Sequence, residues 1–334
     1  MSQPDTLTVA LQGAEQAQGG AKPTFVPHAF LNGEIVPLEE AKISVATHAF
    51  HYGTGCFEGI RGNWNAEEKT LYLFRLRDHY ERLLKSAKML NIRLPYSLDE
   101  LCQLTVELVQ RSNCCEDVYL RPVAFKGSPV LGVRLHDLAD SFLLFVSPFG
   151  NYLDVEAGIR VCVSSWRRID DNSIPARAKI TGGYVNSALA RTEAHLNGYD
   201  EAILLNQDGH VSEGSGENIF LVRNGQLYTP GVNENILEGI TRHSVMRLAE
   251  EELGIRTIER TIDRSELYVA DEIFLTGTAA HVTPVIEVDR RPVGNGQIGP
   301  LTRQISALYF DVVRGVNKKY LEWCTPVRPA PVGQ

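Results

Sequence analysis

Ala202-Ile203-Leu204-Leu205-Asn206-Gln207-Asp208-Gly209-His210-Val211-Ser212-Glu213-Gly214-Ser215-Gly216-Glu217-Asn218-Ile219-Phe220-Leu221-Val222-Arg223-Asn224-Gly225-Gln226-Leu227-Tyr228 reads as extended segments folded back on one another. Asp208-Gly209 separates Ala202–Leu205 from Val211, and Asn224-Gly225 separates Ile219–Val222 from Leu227-Tyr228. Asp-Gly and Asn-Gly accept the positive φ that a tight hairpin requires, so both pairs predict antiparallel returns.

The same signal stands upstream at Asn32-Gly33, between Ala29-Phe30-Leu31 and Ile35-Val36. Leu71–Phe74 reads as a strand, followed by a helix with Leu76, Tyr80, Leu83, Leu84, Ala87 and Leu90 on one face. A second helix spans about Leu98 to Ser112, opened by a capping box of Ser97 and Glu100. Val118–Phe125, Ser141–Val146 and Ile159–Ser164 are extended, and Ile273–Leu275 is a short buried strand. Ala188, Leu189, Thr192 and Leu196 mark a helix that stops at Gly198; further helices lie at about Thr241–Leu253 and Leu301–Val316. Helices and strands mix without regular βαβ alternation. The fold class expected is therefore α+β in two domains, not a doubly wound sheet.

Ser147-Pro148-Phe149-Gly150-Asn151 breaks the pattern and places an interdomain linker at 147–156. It divides a smaller N-terminal domain, 23–146, from a larger one, 157–324. A Gln-, Gly- and Ala-rich stretch, 1–22, is expected to be a disordered extension, and the proline-rich end, 325–334, a loose tail. With 334 residues, 43% of them hydrophobic, the chain can bury a sizeable core. A net charge of −8 leaves no basic excess for nucleic acid. No apolar run is long enough to span a bilayer. Six scattered cysteines without a C-x-x-C pair suit reduced thiols in cytoplasm, and His48 with His51 lack the further ligands a metal needs.

Chemistry is carried by separate segments. Lys179 lies in Ala178-Lys179-Ile180-Thr181-Gly182-Gly183-Tyr184, where small residues allow a flat ring to approach backbone. Taken alone it fits a solvated lysine at a helix start equally well. Tyr184 could reach a phenolate oxygen of the same ring, and Glu213 could keep a pyridine nitrogen protonated, making the ring an electron sink. Gly214 and Gly216 give that loop backbone freedom, although Gly-Ser-Gly-Glu also fits a hairpin end. Glu238-Gly239-Ile240-Thr241-Arg242, opening a helix, and Thr276-Gly277-Thr278-Ala279-Ala280, following a strand, are of the type that binds phosphate. Arg75 or Arg77 could supply a cation. Such a set suits pyridoxal phosphate.

In order, His51-Tyr52-Gly53-Thr54-Gly55, Phe57-Glu58-Gly59-Ile60-Arg61, Phe74-Arg75, Tyr119-Leu120-Arg121-Pro122, Lys179 with Tyr184, Ser212–Asn218, Gly239-Ile240-Thr241-Arg242 and Gly277-Thr278-Ala279-Ala280 resemble the branched-chain amino acid aminotransferase family. That family belongs to the fold-type IV pyridoxal phosphate enzymes, and the resemblance runs from about His28 to Trp323. It implies the D-amino acid aminotransferase-like architecture of a smaller N-terminal and a larger cofactor-binding domain. It implies reversible, ping-pong transamination of L-leucine, L-isoleucine or L-valine with 2-oxoglutarate, giving branched 2-oxo acids and L-glutamate. Lys179 would be the Schiff-base and proton-transfer group, Glu213 would face the pyridine nitrogen and Tyr184 the phenolate oxygen. Arg75, Ile240, Thr241 and Thr278 would hold the phosphate. Tyr119 and Thr278-Ala279 would bind the substrate α-carboxylate and Arg121 the distal carboxylate of glutamate. Tyr52, Phe57, Gly59 and Tyr184 would wall the side-chain pocket, closed by Phe149, where relatives often carry tryptophan. The family's site lies at a dimer interface, so a cytoplasmic homodimer at least is implied, with hexamers open. Other fold-type IV enzymes (D-amino acid aminotransferases, R-selective amine transaminases, aminodeoxychorismate lyases) share the lysine and glutamate, and a non-catalytic binding protein could share the scaffold.

Overall fold

The computed structural model describes residues 25–150 and 153–329. The expected extension 1–22 and the last residues of the expected tail lie outside the described residues. The described chain divides into two compact units. The first runs to Gly150 and also takes Ile180–Gly182 and the segment from Asp311; the second takes the remainder through Phe310.

In chain order the first unit holds β1 (His28–Leu31), β2 (Glu34–Pro37), α1 (His48–Tyr52), β3 (Gly55–Phe57), β4 (Ile60–Asn65), β5 (Thr70–Phe74), α2 (Leu76–Met89), α3 (Leu98–Arg111), β6 (Val118–Lys126) and β7 (Asp140–Pro148). The second holds β8 (Ile159–Arg167), α4 (Tyr184–Leu196), β9 (Glu201–Leu205), β10 (Val211–Gly214), β11 (Asn218–Arg223), β12 (Gln226–Thr229), α5 (Ile240–Leu253), β13 (Ile258–Glu259), β14 (Glu272–Gly277), β15 (His281–Val288) and β16 (Arg291–Pro292). α6 (Pro300–Val313) and β17 (Cys324–Val327) follow.

The first sheet is eight-stranded, ordered β17-β5-β4-β6-β7-β1-β2 with β3 beside β6; the second is nine-stranded, ordered β10-β9-β8-β15-β14-β11-β12-β13 with β16 beside β15. The Asn-Gly hairpins form as the local chemistry requires. Asn32 and Gly33, like Asn224 and Gly225, have positive φ between paired antiparallel strands. The Ser97–Glu100 capping box closes reciprocally over the start of α3. α5 ends on Gly254 at φ 66°.

Two expectations change. Ser147 and Pro148 complete β7 instead of opening a linker. The expected loose tail begins with a strand, since β17 pairs with β5 as far as Val327. Its prolines read as a break, yet Pro326 sits on an edge strand, the place in a sheet that tolerates proline. The segment from Asp311 thus belongs with the first unit, not with an uninterrupted second domain 157–324.

In the second unit Ile203, Leu205, Ile219, Leu221, Ile273, Leu275 and Val285 share one apolar face, the period-two outcome of adjacent strands. On the other face Ala190 and Ala194 of α4 meet Cys162, Ala202 and Leu204. Small residues there let the helix lie close to the sheet, and β9, covered on both faces, is a continuous apolar run after Glu201. β8 and β9 are parallel, joined through α4. Lys179 lies in that crossover, just before α4.

Candidate active site

In the second unit, Lys179 Nζ donates to the Tyr184 hydroxyl at 2.5 Å and stands 5.0 Å from the centre of its ring. Tyr184 opens α4, so the first helical turn brings the phenol back beside the lysine that precedes it. The glycines between them do other work than a flat ring was expected to demand. Gly182, grouped with the first unit, abuts Gly53, whose φ is 63° and where a Cβ would fall 2.7 Å from the Gly182 Cα. Thr181 Oγ1 donates to the carbonyls of Gly53 and Gly55 at 2.8 and 3.0 Å.

Glu213 is placed by a bulge. Val211 pairs with Leu205 but Glu213 with Leu204, so Ser212 is an extra residue in β10. One extra residue inverts the alternation and keeps Glu213 off the apolar face that Val211 lines. Gly214 and Gly216 do not carry positive φ. Gly214 is small because Glu217 Oε2 would lie 2.9 Å from any Cβ there.

Glu213 is 5% exposed, and both of its carboxylate oxygens have partners. Arg168 Nη2 lies 2.7 Å from Oε1, while Asn218 Nδ2 and the Leu237 N–H donate to Oε2 at 2.9 and 3.0 Å. Burial pushes its pKa up, opposed by Arg168, the Leu237 N–H, Lys179 and Arg242. Arg168 had no assigned role in the sequence, where it is the second of two adjacent arginines at a strand end. Asn218 ties the carboxylate to the entry of α5, donating also to the Leu237 carbonyl at 2.8 Å. A Cβ on Gly239 would come 2.0 Å from Asn218 Oδ1, so glycine is required there.

α5 starts at Ile240 and Thr241 after Gly239, which makes no side-chain cap, and a helix start of this kind is suited to an anion. Asn218 pairs with Thr276 across β11 and β14, which sets Gly277-Thr278-Ala279 next to this corner. The Thr276 hydroxyl is buried and has no hydrogen-bond partner among the described residues. A lysine with its phenol, a buried carboxylate, a helix start opened by glycine and an unsatisfied hydroxyl together fit a phosphorylated ring with a basic nitrogen.

In the first unit, Phe57, Gly59, Tyr119, Arg121 and Phe149 form one cluster. Arg121 lies 4.5 Å over the Phe57 ring and 5.3 Å from that of Tyr119, donating to the Tyr119 hydroxyl at 3.3 Å. That hydroxyl occupies the space of a side chain on Gly59, 1.8 Å from an ideal Cβ. Tyr119 packs on Phe149 at 4.8 Å. Arg61, which had no assigned role, donates to the carbonyls of Phe149 and Gly150 at 3.1 and 2.8 Å. Between Phe57 and Gly59, buried Glu58 is gripped by Arg82 at 2.7 and 2.8 Å and by His79 at 2.8 Å. Burial alone would raise its pKa, but Arg82 and His79 hold it down at about 2. Tyr52 stands apart from this cluster, its hydroxyl accepting from the Gly132 N–H at 3.1 Å beside His48. Arg75 adopts left-handed φ 49°, which costs a non-glycine residue about 1–2 kcal/mol. A fork onto Asp78 at 2.9 and 2.8 Å and stacking over Trp323 at 5.3 Å hold it. Arg77 is exposed, paired with Asp99.

Residues 55–288 match the family described as amino-transferase class IV. A probable branched-chain-amino-acid aminotransferase of Aquifex aeolicus is 56% identical over 299 residues, 90% of this chain and 96% of that one. The crystal structure of the Thermoproteus uzoniensis branched-chain aminotransferase with norvaline superposes with a TM-score of 0.86 at 48% identity, covering 90% of this chain and 99% of the other. That of the Thermobaculum terrenum branched-chain amino acid aminotransferase in its PLP-bound holo form does so at 0.86 and 39%, covering 90% and 98%. The chain belongs to the class IV aminotransferases and, within them, to the branched-chain-amino-acid aminotransferase family.

Proposed function

We propose that Lys179 is the catalytic lysine of this transaminase, with Glu213, Tyr184, Ile240, Thr241, Thr278 and Arg75 holding its pyridoxal 5'-phosphate. The chain is a pyridoxal phosphate-dependent branched-chain-amino-acid transaminase of fold-type IV. It exchanges the amino group of L-leucine, L-isoleucine or L-valine with 2-oxoglutarate, yielding the branched 2-oxo acid and L-glutamate. The observation that carries the site reading is Glu213, buried yet paired with Arg168, in the same unit as the Lys179–Tyr184 hydrogen bond.

When bound, the cofactor supplies a protonated aromatic ring that accepts the electron pair left at the substrate Cα. Glu213 holds the proton on the ring nitrogen, and Arg168 keeps that carboxylate charged inside the protein. Lys179 Nζ, as the free amine, would take the Cα proton and deliver it to C4′ of the bound cofactor; base catalysis of this kind contributes ~10²–10⁴-fold. The Tyr184 hydroxyl orients Nζ. The N–H groups of Ile240 and Thr241, the Thr278 hydroxyl and Arg75 balance the phosphate charge. Tyr52, Phe57, Gly59, Tyr184 and Phe149 suit a branched aliphatic side chain. Tyr119, Thr278 and Ala279 suit the α-carboxylate.

Arg121 is assigned the distal carboxylate of glutamate. A charge-assisted hydrogen bond contributes about 1.5–3 kcal/mol, so Arg121→Ala should lower kcat/KM for 2-oxoglutarate about 10- to 100-fold. The leucine value should change only a few-fold; equal losses would remove Arg121 from this role. The same assay tests the function: purified protein with 2-oxoglutarate should form glutamate from L-leucine, L-isoleucine and L-valine, and turnover of D-alanine alone would contradict the reading. We further assign the chain to the cytoplasm as a homodimer or larger assembly. Six free cysteines support a reducing compartment. No helix among the described residues is long and apolar enough to cross a membrane.

A further inference from the structure

Of the other glutamates buried in the second unit, Glu201 and Glu217 lie around the loop that follows Glu213. Glu201 of β9 is 0% exposed. Its Oε1 accepts the Ala202 N–H at 2.7 Å and its Oε2 lies 3.0 Å from Arg191 Nη1 on α4; burial raises its pKa, against Arg191 and then Ser215, which favour its charged form. Glu217 is 5% exposed, and its Oε2 accepts the Gly216 N–H at 3.1 Å. Its carboxylate covers Gly214, and its Cγ sits 3.4 Å from where a side chain on Gly277 would begin. Glu217 therefore packs between the loop after Glu213 and the turn Gly277-Thr278-Ala279.

The charge count is unbalanced. Arg168 serves Glu213, and Arg191 faces Glu201. The charges acting on Glu217 are those of Glu201 on β9, Arg191 on α4 and Glu213 on β10, while β14 brings the uncharged Gly277. Two ionised carboxylates inside the protein around one guanidinium are costly to desolvate, whereas a retained proton removes that cost. We propose that Glu201 and Glu217 share one proton, and that the resulting neutral Arg191–Glu201–Glu217 set is a positioning element locking the Glu213 loop against the Gly277 turn. This deepens the site reading above, on which its catalytic consequence rests. The proton resides on Glu217, because Arg191 favours the charged form of Glu201. Burial, then the field of Glu201, pushes Glu217 up to about 8, against an ordinary 4.5.

The sign of the pH dependence follows. Between about 4.5 and about 8 the folded chain keeps a proton that the unfolded chain has released, so this group makes stability fall as pH rises across that window. Glu217→Gln carries no titrating proton and mimics the protonated acid. Its Tm should fall less than the wild type's from about pH 5 to about pH 8, and it should exceed the wild type at the alkaline end. The holoenzyme's kcat/KM for leucine should lose its alkaline limb in the same variant. Independently, infrared spectra of the wild type at neutral pH should show a protonated carboxyl band that disappears on raising the pH and is missing in Glu217→Gln. Should that variant not fold, Glu201→Gln, which removes the neighbouring charge, should lower the pH at which the band disappears. Parallel Tm curves for wild type and Glu217→Gln, or no protonated carboxyl in the neutral wild type, would overturn the proposal. The Tm and infrared results do not depend on where the cofactor binds, so failure of the site reading would show in borohydride labelling instead.

Discussion

Lys179→Ala is expected to abolish transamination while leaving a folded protein. Lys179 is only partly buried, and its hydrogen bond to Tyr184 is neutral enough in net effect that losing it costs about 0.5–1.5 kcal/mol of stability. The catalytic loss should be far larger, because in the proposed site the same amine anchors the cofactor and moves the Cα proton. The second role alone is ~10²–10⁴-fold, and kcat for leucine should fall by at least that much. Adding a small primary amine should restore part of the rate, since a free base can enter the space the side chain vacates. A variant with unaltered Tm and kcat within tenfold of wild type would show that another base operates.

Arg168→Ala should produce the next largest effect, on stability and activity together. Arg168 and Glu213 side chains are 14% and 7% exposed, so the pair is shielded from solvent. Removing one partner of such a pair costs about 3–5 kcal/mol, because the buried carboxylate must either stay charged with less compensation or take up a proton. Glu213 already lies above its ordinary pKa through burial. Without the guanidinium it should rise further, lose its charge and no longer hold a proton on the ring nitrogen. The double variant Arg168→Ala with Glu213→Gln should regain stability but not turnover. Urea unfolding and leucine kinetics on the three proteins separate these outcomes; full activity in Arg168→Ala would refute the electrostatic role given to the pair.

The features legible in the sequence were those set by local chemistry. Asn224-Gly225 adopts positive φ whatever surrounds it, and Ser97 with Glu100 caps a helix through bonds confined to one turn. Lys179 and Tyr184 are close along the chain, so their meeting required only that α4 begin between them. Longer-range partners were hidden. Nothing about Arg167-Arg168 says which arginine will reach Glu213, because that depends on the β8–β9 pairing and on the bulge at Ser212. Glu201, beside Asp200 in a polar-looking turn, is buried because it enters a doubly covered strand. The prolines after Cys324 obscured an edge strand. Gly182 was read among small residues that let a ring approach, whereas it and Gly53 make room for each other's backbone.

The most direct test of the account is reductive trapping. Borohydride treatment of the purified holoenzyme, followed by proteolysis and mass spectrometry, should find the pyridoxyl group on one peptide, and fragmentation should place it on Lys179. The pyridoxyl group on any other lysine, or a fully active enzyme with no trapped peptide, would contradict it.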